Sequence, residues 1–288
     1  MSEAVRKAAS PILRVVSPRH RRWHQILTSC TLDLAGMPAT LPAPGADDLI
    51  ICGSPRTGTA LLTAQLHQPP VSIGMMEPWD VLRLPPAELF ASLRSELEGG
   101  RLLRGRLDLG ALEERSSVSW CSDGEMPYPV DYRPDSVVAV KYPGMWRYLD
   151  RLPTTKFVVC LRNPVDTITS FRTTGGRLLD GLQYEVPFEA ELNAEILARY
   201  DDPARRRVAL YDTINEAILP HLDRPEVFVV RYERWFTDPE AMMGELSEFL
   251  GRDLGPGPAK ISSPRPQPDT EEAAYIRRTC TTAEALGY

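Results

Sequence analysis

Two arginines, a lysine and a glutamate stand where anion chemistry would need them in this chain of 288 residues. Arg56 lies in the run Gly53, Ser54, Pro55, Arg56, Thr57, Gly58, Thr59, directly after the apolar stretch Leu49–Cys52. A strand, a glycine loop and a helix in that order leave unpartnered main-chain N–H groups and a positive dipole end facing the loop. Gly53 and Gly58 let the chain bend close to an anion. Thr57 and Thr59 add hydroxyl donors, and Arg56 adds a planar fork suited to phosphate or sulfate oxygens. Arg162 follows a second apolar stretch, Phe157–Leu161, and Ser170 lies about two turns into the next helix, a pairing suited to a second anion. Lys141 ends the stretch Val137–Val140, and Glu77 follows Val71–Met76. Lys7, Lys141, Lys156 and Lys260 are the only lysines, so one at a strand end stands out.

Gly53 and Gly58 have the spacing of a nucleoside triphosphate loop, but Thr59 stands where that loop needs its lysine. No acidic residue ends a strand in position to hold magnesium. The pattern therefore predicts an anion cradle with no metal.

The elements that must position these groups are short apolar strands alternating with helices. Strands are expected at Leu49–Cys52, Val71–Met76, Val137–Val140, Phe157–Leu161 and Val227–Val230. Helices are expected over 59–67, 86–99, 187–200 and 204–220, from Pro164, up to Leu250 with Gly251 as its stop, and from Thr270. That alternation predicts an α/β fold with a P-loop-like central parallel sheet flanked by helices on both faces. Residues 17–36 read as an amphipathic helix, so 1–47 is expected to be an N-terminal helical arm and linker. Residues 48–288 form the main domain, with 85–135 as a substrate-side insertion.

Three of these segments together resemble the superfamily of sulfotransferases that use 3′-phosphoadenosine 5′-phosphosulfate (PAPS). In that family a loop like GSPRTGT binds the 5′-phosphosulfate end. The resemblance implies that Ser54, Pro55, Arg56, Thr57, Gly58, Thr59 and Ala60 do so here. A segment of the type R-N-P-x-D-x-x-x-S binds the 3′-phosphate; Arg162, Asn163, Pro164, Asp166 and Ser170 match it. The segment VFVVRYERWFTDPEAMMGELSEFLG is similar to a third family region, where Tyr232 matches the tyrosine near the adenine. The ending AEALGY resembles the tail of many bacterial members. The similarity runs from about residue 48 to 288, with 85–135 matching poorly.

The implied reaction moves a sulfuryl group from PAPS to an acceptor hydroxyl by in-line displacement, with no metal. Arg56, at a position that is often lysine, would neutralise the leaving phosphate as an electrostatic clamp. Lys141 resembles the lysine of the family's K-T-H-L-P element, whose histidine is absent because Tyr142 and Pro143 follow directly. That departure favours Glu77 as the base, its pKa raised by Met75, Met76, Pro78 and Trp79 around it. Arg265 is expected to reach the 3′-phosphate, as basic residues near the end of relatives do. Asp80, Asp123 and Glu125 are weaker candidates for base or substrate contact. Trp79, Trp120, Tyr128, Tyr132 and Trp146 are candidates for an acceptor pocket. His20, His24, His67 and His221 fall outside the catalytic pattern. The competing readings are an ATP-dependent P-loop kinase and a nucleotide-binding protein that has lost catalysis.

The apolar share of 43% and charged share of 25% are those of a globular protein. A net charge of −6 argues against nucleic acid as partner but leaves room for a local anion site. Cys30, Cys52, Cys121, Cys160 and Cys280 show no zinc or disulfide spacing. No leader pattern and no apolar run of about 20 residues occur, so a cytoplasmic protein without an integral membrane segment is expected. The acceptor's identity and the oligomeric state have no signature in the sequence.

Overall fold

The computed structural model describes residues 30–99, 131–174, 176–257, 261 and 270–288. Five strands form one sheet: β1 (Asp48–Gly53), β2 (Ser72–Met76), β3 (Val137–Lys141), β4 (Lys156–Leu161) and β5 (Val227–Arg231). Their order is β2-β3-β1-β4-β5, and every pairing is parallel. All of β1, β2 and β3 is buried, so both faces of the sheet are covered. That is why these strands read as continuous apolar runs and not as alternating ones.

The helices are α1 (Thr59–Gln65), α2 (Pro86–Glu98), α3 (Pro164–Thr174), α4 (Pro187–Arg199), α5 (Pro203–Ile218), α6 (Arg234–Thr237), α7 (Pro239–Leu250) and α8 (Glu271–Thr279). Proline opens α2, α4, α5 and α7, where its missing N–H costs no helical bond. Asp202 caps α5 and Thr270 caps α8 through side-chain oxygens. Helix α7 stops at Gly251, which takes φ 66°. Helix α1 packs on β1, β2 and β3, and α6 and α7 pack on β5.

Register decides where the functional groups go. Ile51 and Met76 each pair with Lys141, Gly53 pairs with Cys160, and Leu161 pairs with Arg231. The loops after all five strands therefore open along one edge. β1 has β3 on one side and β4 on the other, so the loops after β1 and β4 meet where the chain changes direction across the sheet. Ligands of open parallel sheets bind at such a point.

Residues 30–36 correct one expectation. They are irregular and not the end of a helix. Cys30, Leu32 and Leu34 are buried in the core, and Leu32 N–H donates to the Leu82 carbonyl at 3.1 Å. Arg151 holds the same segment through the Met37 and Pro38 carbonyls at 3.0 and 2.8 Å. Periodicity alone could not distinguish that packed strap from an amphipathic helix. The rest of the expected arm, 1–29, lies outside the described residues. Of the expected insertion, α2 buries Leu89, Phe90, Leu93 and Leu97, and 100–130 lies outside the described residues.

Candidate active site

The loop after β1 is built by two backbone reversals. Arg56 takes φ 72° and Gly58 φ 93°. Thr57 closes the turn from within, its Oγ1 donating to the Ser54 carbonyl at 2.7 Å. A Cβ at Gly58 would lie 2.4 Å from Tyr232 Cδ2, so only glycine fits both the space and the dihedral. The third sequence segment thus presses directly on the first. Thr59 and Ala60 begin α1, where the first N–H groups have no helical acceptor. Ser54 is fully buried and its Oγ has no partner among the described residues.

Arg162 leaves β4 toward this loop. Its Nη1 donates to the Arg56 carbonyl at 3.0 Å, and its guanidinium stacks 4.3 Å from the Tyr232 ring centre. The Arg162 carbonyl accepts from Tyr211 Oη at 2.9 Å. Asn163 caps α3, its Oδ1 accepting the Val165 N–H at 2.9 Å, while its own N–H donates to Glu233 Oε1 at 2.8 Å. Ser170, further along α3, accepts from Arg56 Nε at 3.1 Å. Three separate strand–loop units therefore bring Arg56, Arg162, Ser170 and Tyr232 together.

The electrostatics of this cluster are unbalanced. Among the described residues no carboxylate forms an ion pair with Arg56 or Arg162. Arg56 keeps an exposed edge, yet desolvation by surrounding protein, and then the Arg162 charge, lower its pKa. Asp166, in the first turn of α3, has its pKa raised by burial against the opposing pull of Arg162. Arg162 Nε is buried with no partner among the described residues. Adjacent like charges with an orphaned buried donor suit an incoming anion, which would supply charge and acceptors at once.

Glu77 and Lys141 meet at the ends of β2 and β3. The Glu77 N–H donates to the Lys141 carbonyl at 2.7 Å, and Lys141 Nζ lies 2.5 Å from Glu77 Oε1. The expected apolar surroundings of Glu77 are thus broken by a cation. Glu77 takes φ 47°, and among the described residues Arg56 and Glu77 are the only non-glycine residues at positive φ. Such dihedrals cost about 1–3 kcal/mol each and persist where the surrounding structure requires them, often at functional sites.

Behind Lys141 lies a network that the sequence reading missed. Tyr142 Oη donates to Glu189 Oε1 at 2.8 Å, and Arg147 Nη2 donates to Oε2 at 3.1 Å. Glu189 has no exposed surface, and burial raises its pKa against the pull of Arg147. No motif marked it: a glutamate in the first turn of a helix reads as a dipole partner on a solvated face.

Other candidates fall elsewhere. Asp80 pairs with Arg83 at 3.4 Å, and His221 lies 3.2 Å from Asp150. Tyr132 Oη accepts from Arg94, which also pairs with Asp48 at the opposite edge of the sheet, so Tyr132 is no part of a pocket beside Arg56. Trp146 stacks with Arg147 and lines a cavity of about 480 Å³ with Leu34, Asp150 and Arg151. Arg265, Asp123, Glu125, Trp120, Tyr128, His20 and His24 lie outside the described residues.

A family model described as "Sulfotransferase family" matches residues 48–256. Among curated proteins no relative matches. Solved structures to which the chain is similar include a sulfotransferase domain from the curacin biosynthetic pathway, 15% identical, covering 83% of this chain and 97% of that one with a TM-score of 0.43. A sulfotransferase from Alicyclobacillus acidocaldarius is 19% identical over 85% of this chain and 96% of its own, with a TM-score of 0.44. The mouse sulfotransferase SULT7A1, complexed with PAP, is 18% identical over 92% of this chain and 71% of its own, with a TM-score of 0.40.

Proposed function

The chain belongs to the sulfotransferase family, and from that premise we propose that it transfers a sulfuryl group from PAPS to an acceptor hydroxyl, releasing adenosine 3′,5′-bisphosphate (PAP). The observation that carries this reading is the meeting of Arg56, Arg162 and Ser170 beside Ser54 Oγ and Arg162 Nε, buried donors that lack partners among the described residues. The residues fit a doubly anionic nucleotide. Ser54 Oγ, Arg56 and the start of α1 would receive the 5′-phosphosulfate end. Arg162 and Ser170 would receive the 3′-phosphate, with Tyr232 beside the adenine.

Glu77 acts as the base in this reading. It accepts the proton of the acceptor hydroxyl as the oxygen bonds to sulfur and the bond from sulfur to the 5′-phosphate oxygen breaks. Lys141 leaves the carboxylate to steady the transferring sulfuryl group. Arg56 meets the negative charge that grows on the leaving phosphate. Because its guanidinium stays protonated, it stabilises charge without donating a proton. The acceptor is a small molecule, sugar or lipid carrying a hydroxyl, which would be held between Glu77 and Arg56. Residues 48–288 act as one catalytic unit.

Two measurements test the reading. In thermal unfolding, PAP should stabilise the protein more than ATP with magnesium does. With PAPS and a panel of hydroxyl acceptors, PAP should accumulate as sulfated product forms. Stabilisation by ATP with magnesium alone would point to a kinase. PAP binding without turnover on any acceptor would point to a nucleotide-binding protein without catalysis.

A further inference from the structure

The motif AEALGY reaches Glu233, whose carboxylate also holds the main chain just after Arg162. Asp212, buried in α5, accepts the main-chain N–H groups of Thr281 and Thr282 at 3.1 Å each, and Thr282 Oγ1 at 2.8 Å. These bonds fix the chain just beyond α8. The Gly287 N–H then bonds the Glu284 carbonyl at 2.9 Å, and the Tyr288 N–H bonds the Ala283 carbonyl at 3.0 Å. Gly287 takes φ 79°. Two such bonds around a left-handed glycine make a Schellman turn, and the turn needs that glycine. It buries Leu286 in the core and sends Tyr288 back toward the end of β5.

There Tyr288 Oη donates to Glu233 Oε2 at 3.1 Å, and Arg231 lies 5.3 Å from its ring centre. The other oxygen of Glu233 accepts the N–H of Asn163, the residue after Arg162, at 2.8 Å. Glu233 directly follows Tyr232, whose ring underlies the Arg162 guanidinium. We propose that Tyr288 is a positioning residue for the nucleotide: through Glu233 and the Asn163 main chain, it fixes the direction in which Arg162 presents its guanidinium.

A carboxylate with one engaged oxygen can rotate; one held at both oxygens cannot without breaking a bond. Tyr288 thereby locks Glu233, which sets both the Asn163 main chain and the attitude of Tyr232. Burial, and then the Glu233 charge, raise the pKa of the phenol, so it keeps its proton and remains a donor. The proposal rests on the reading that Arg162 holds a phosphate of the nucleotide.

The test combines calorimetric titration with PAP and steady-state rates with PAPS. Tyr288→Phe keeps the ring and removes the donor. It should raise the Kd for PAP and the KM for PAPS about five- to tenfold while kcat stays within about twofold. Glu233→Ala should weaken PAP binding at least as much. Glu233→Gln should stay near the parent, because its carbonyl can accept the Asn163 N–H and its amide can donate to Tyr288. In a Glu233→Ala background, Tyr288→Phe should add nothing.

Unchanged PAP affinity in Tyr288→Phe, or full additivity of the pair, overturns the proposal while leaving the nucleotide site intact, provided Arg162→Ala abolishes PAP binding. If the parent protein binds no PAP, the reading of Arg162 fails and the proposal falls with it. Should Tyr288→Phe not fold, equal PAP affinities for Glu233→Ala and Glu233→Gln overturn it.

Discussion

Arg56 Nε lies 3.1 Å from Ser170 Oγ, although 114 residues separate them in sequence. The bond ties the loop after β1 to the helix after β4, and with Arg162 bonded to the Arg56 carbonyl it makes one cluster of the two arginines. A serine hydroxyl both accepts and donates, so Ser170 can hold Arg56 and, in the proposed complex, donate to an anion. Ser170→Ala removes the tether and that donor. Its KM for PAPS should rise about five- to tenfold, with a smaller fall in kcat. Initial rates at varied PAPS check this, and an unchanged KM would take Ser170 out of the nucleotide site.

Glu77 is the group whose loss should separate chemistry from binding. Glu77→Gln keeps the shape and removes the proton acceptor. The expected loss in kcat is about 10²–10⁴-fold, the range for a positioned base. PAP affinity should stay within about threefold, because the change keeps the size of the side chain and the bonds that join Arg56, Arg162 and Ser170. Single-turnover rates beside PAP titration decide the matter; a kcat near that of the parent would exclude Glu77 as the base.

The centre of the sheet was readable from sequence because β1 and β3 are continuous apolar runs bounded by glycine, proline or charge, which follows from their burial on both faces. Arg56, Arg162 and Ser170 were readable because each stands at a fixed offset from a strand end, and a parallel sheet collects strand ends along one edge. Glu189 and Asp212 were not. Both work through partners far away in sequence, Tyr142 and Thr282, and polar side chains within helices carry no local sign of burial. Residues 30–36 misled for a related reason: their apolar spacing suits a helix, but tertiary packing against Leu82 and Arg151 decides their shape.

The pairing of Lys141 with Glu77 predicts a split between stability and activity. Their side chains are only 7% and 14% exposed, so removing Lys141 takes the nearby cation from the Glu77 carboxylate in a poorly solvated place. Lys141→Met should destabilise the protein by about 3 kcal/mol and abolish most turnover. The double change Lys141→Met with Glu77→Gln removes both charges, so it should recover most of the stability and none of the activity. Urea unfolding of the four proteins gives the comparison. If the double variant is as unstable as Lys141→Met alone, the cost comes from lost packing and not from the carboxylate left without that cation.

His67 sets an acid limit on the fold. It is buried just past α1, and burial lowers its pKa to about 4, against a smaller upward pull from a bond with the Gly74 main chain. In the unfolded chain a histidine titrates near about 6.5. Between those values the unfolded chain carries a proton that the folded protein excludes, so the unfolded state binds more protons and stability falls as pH falls. The contribution is complete above the unfolded value and is lost progressively from about pH 6.5 down to about 4, amounting to about 3 kcal/mol at most. His67→Gln cannot titrate, so its unfolding free energy should decline less steeply over that window. Urea denaturation at pH 7, 6, 5 and 4 provides the test. Parallel curves for the two proteins would mean that His67 takes up its proton equally in both states, and the buried neutral imidazole would then be wrong.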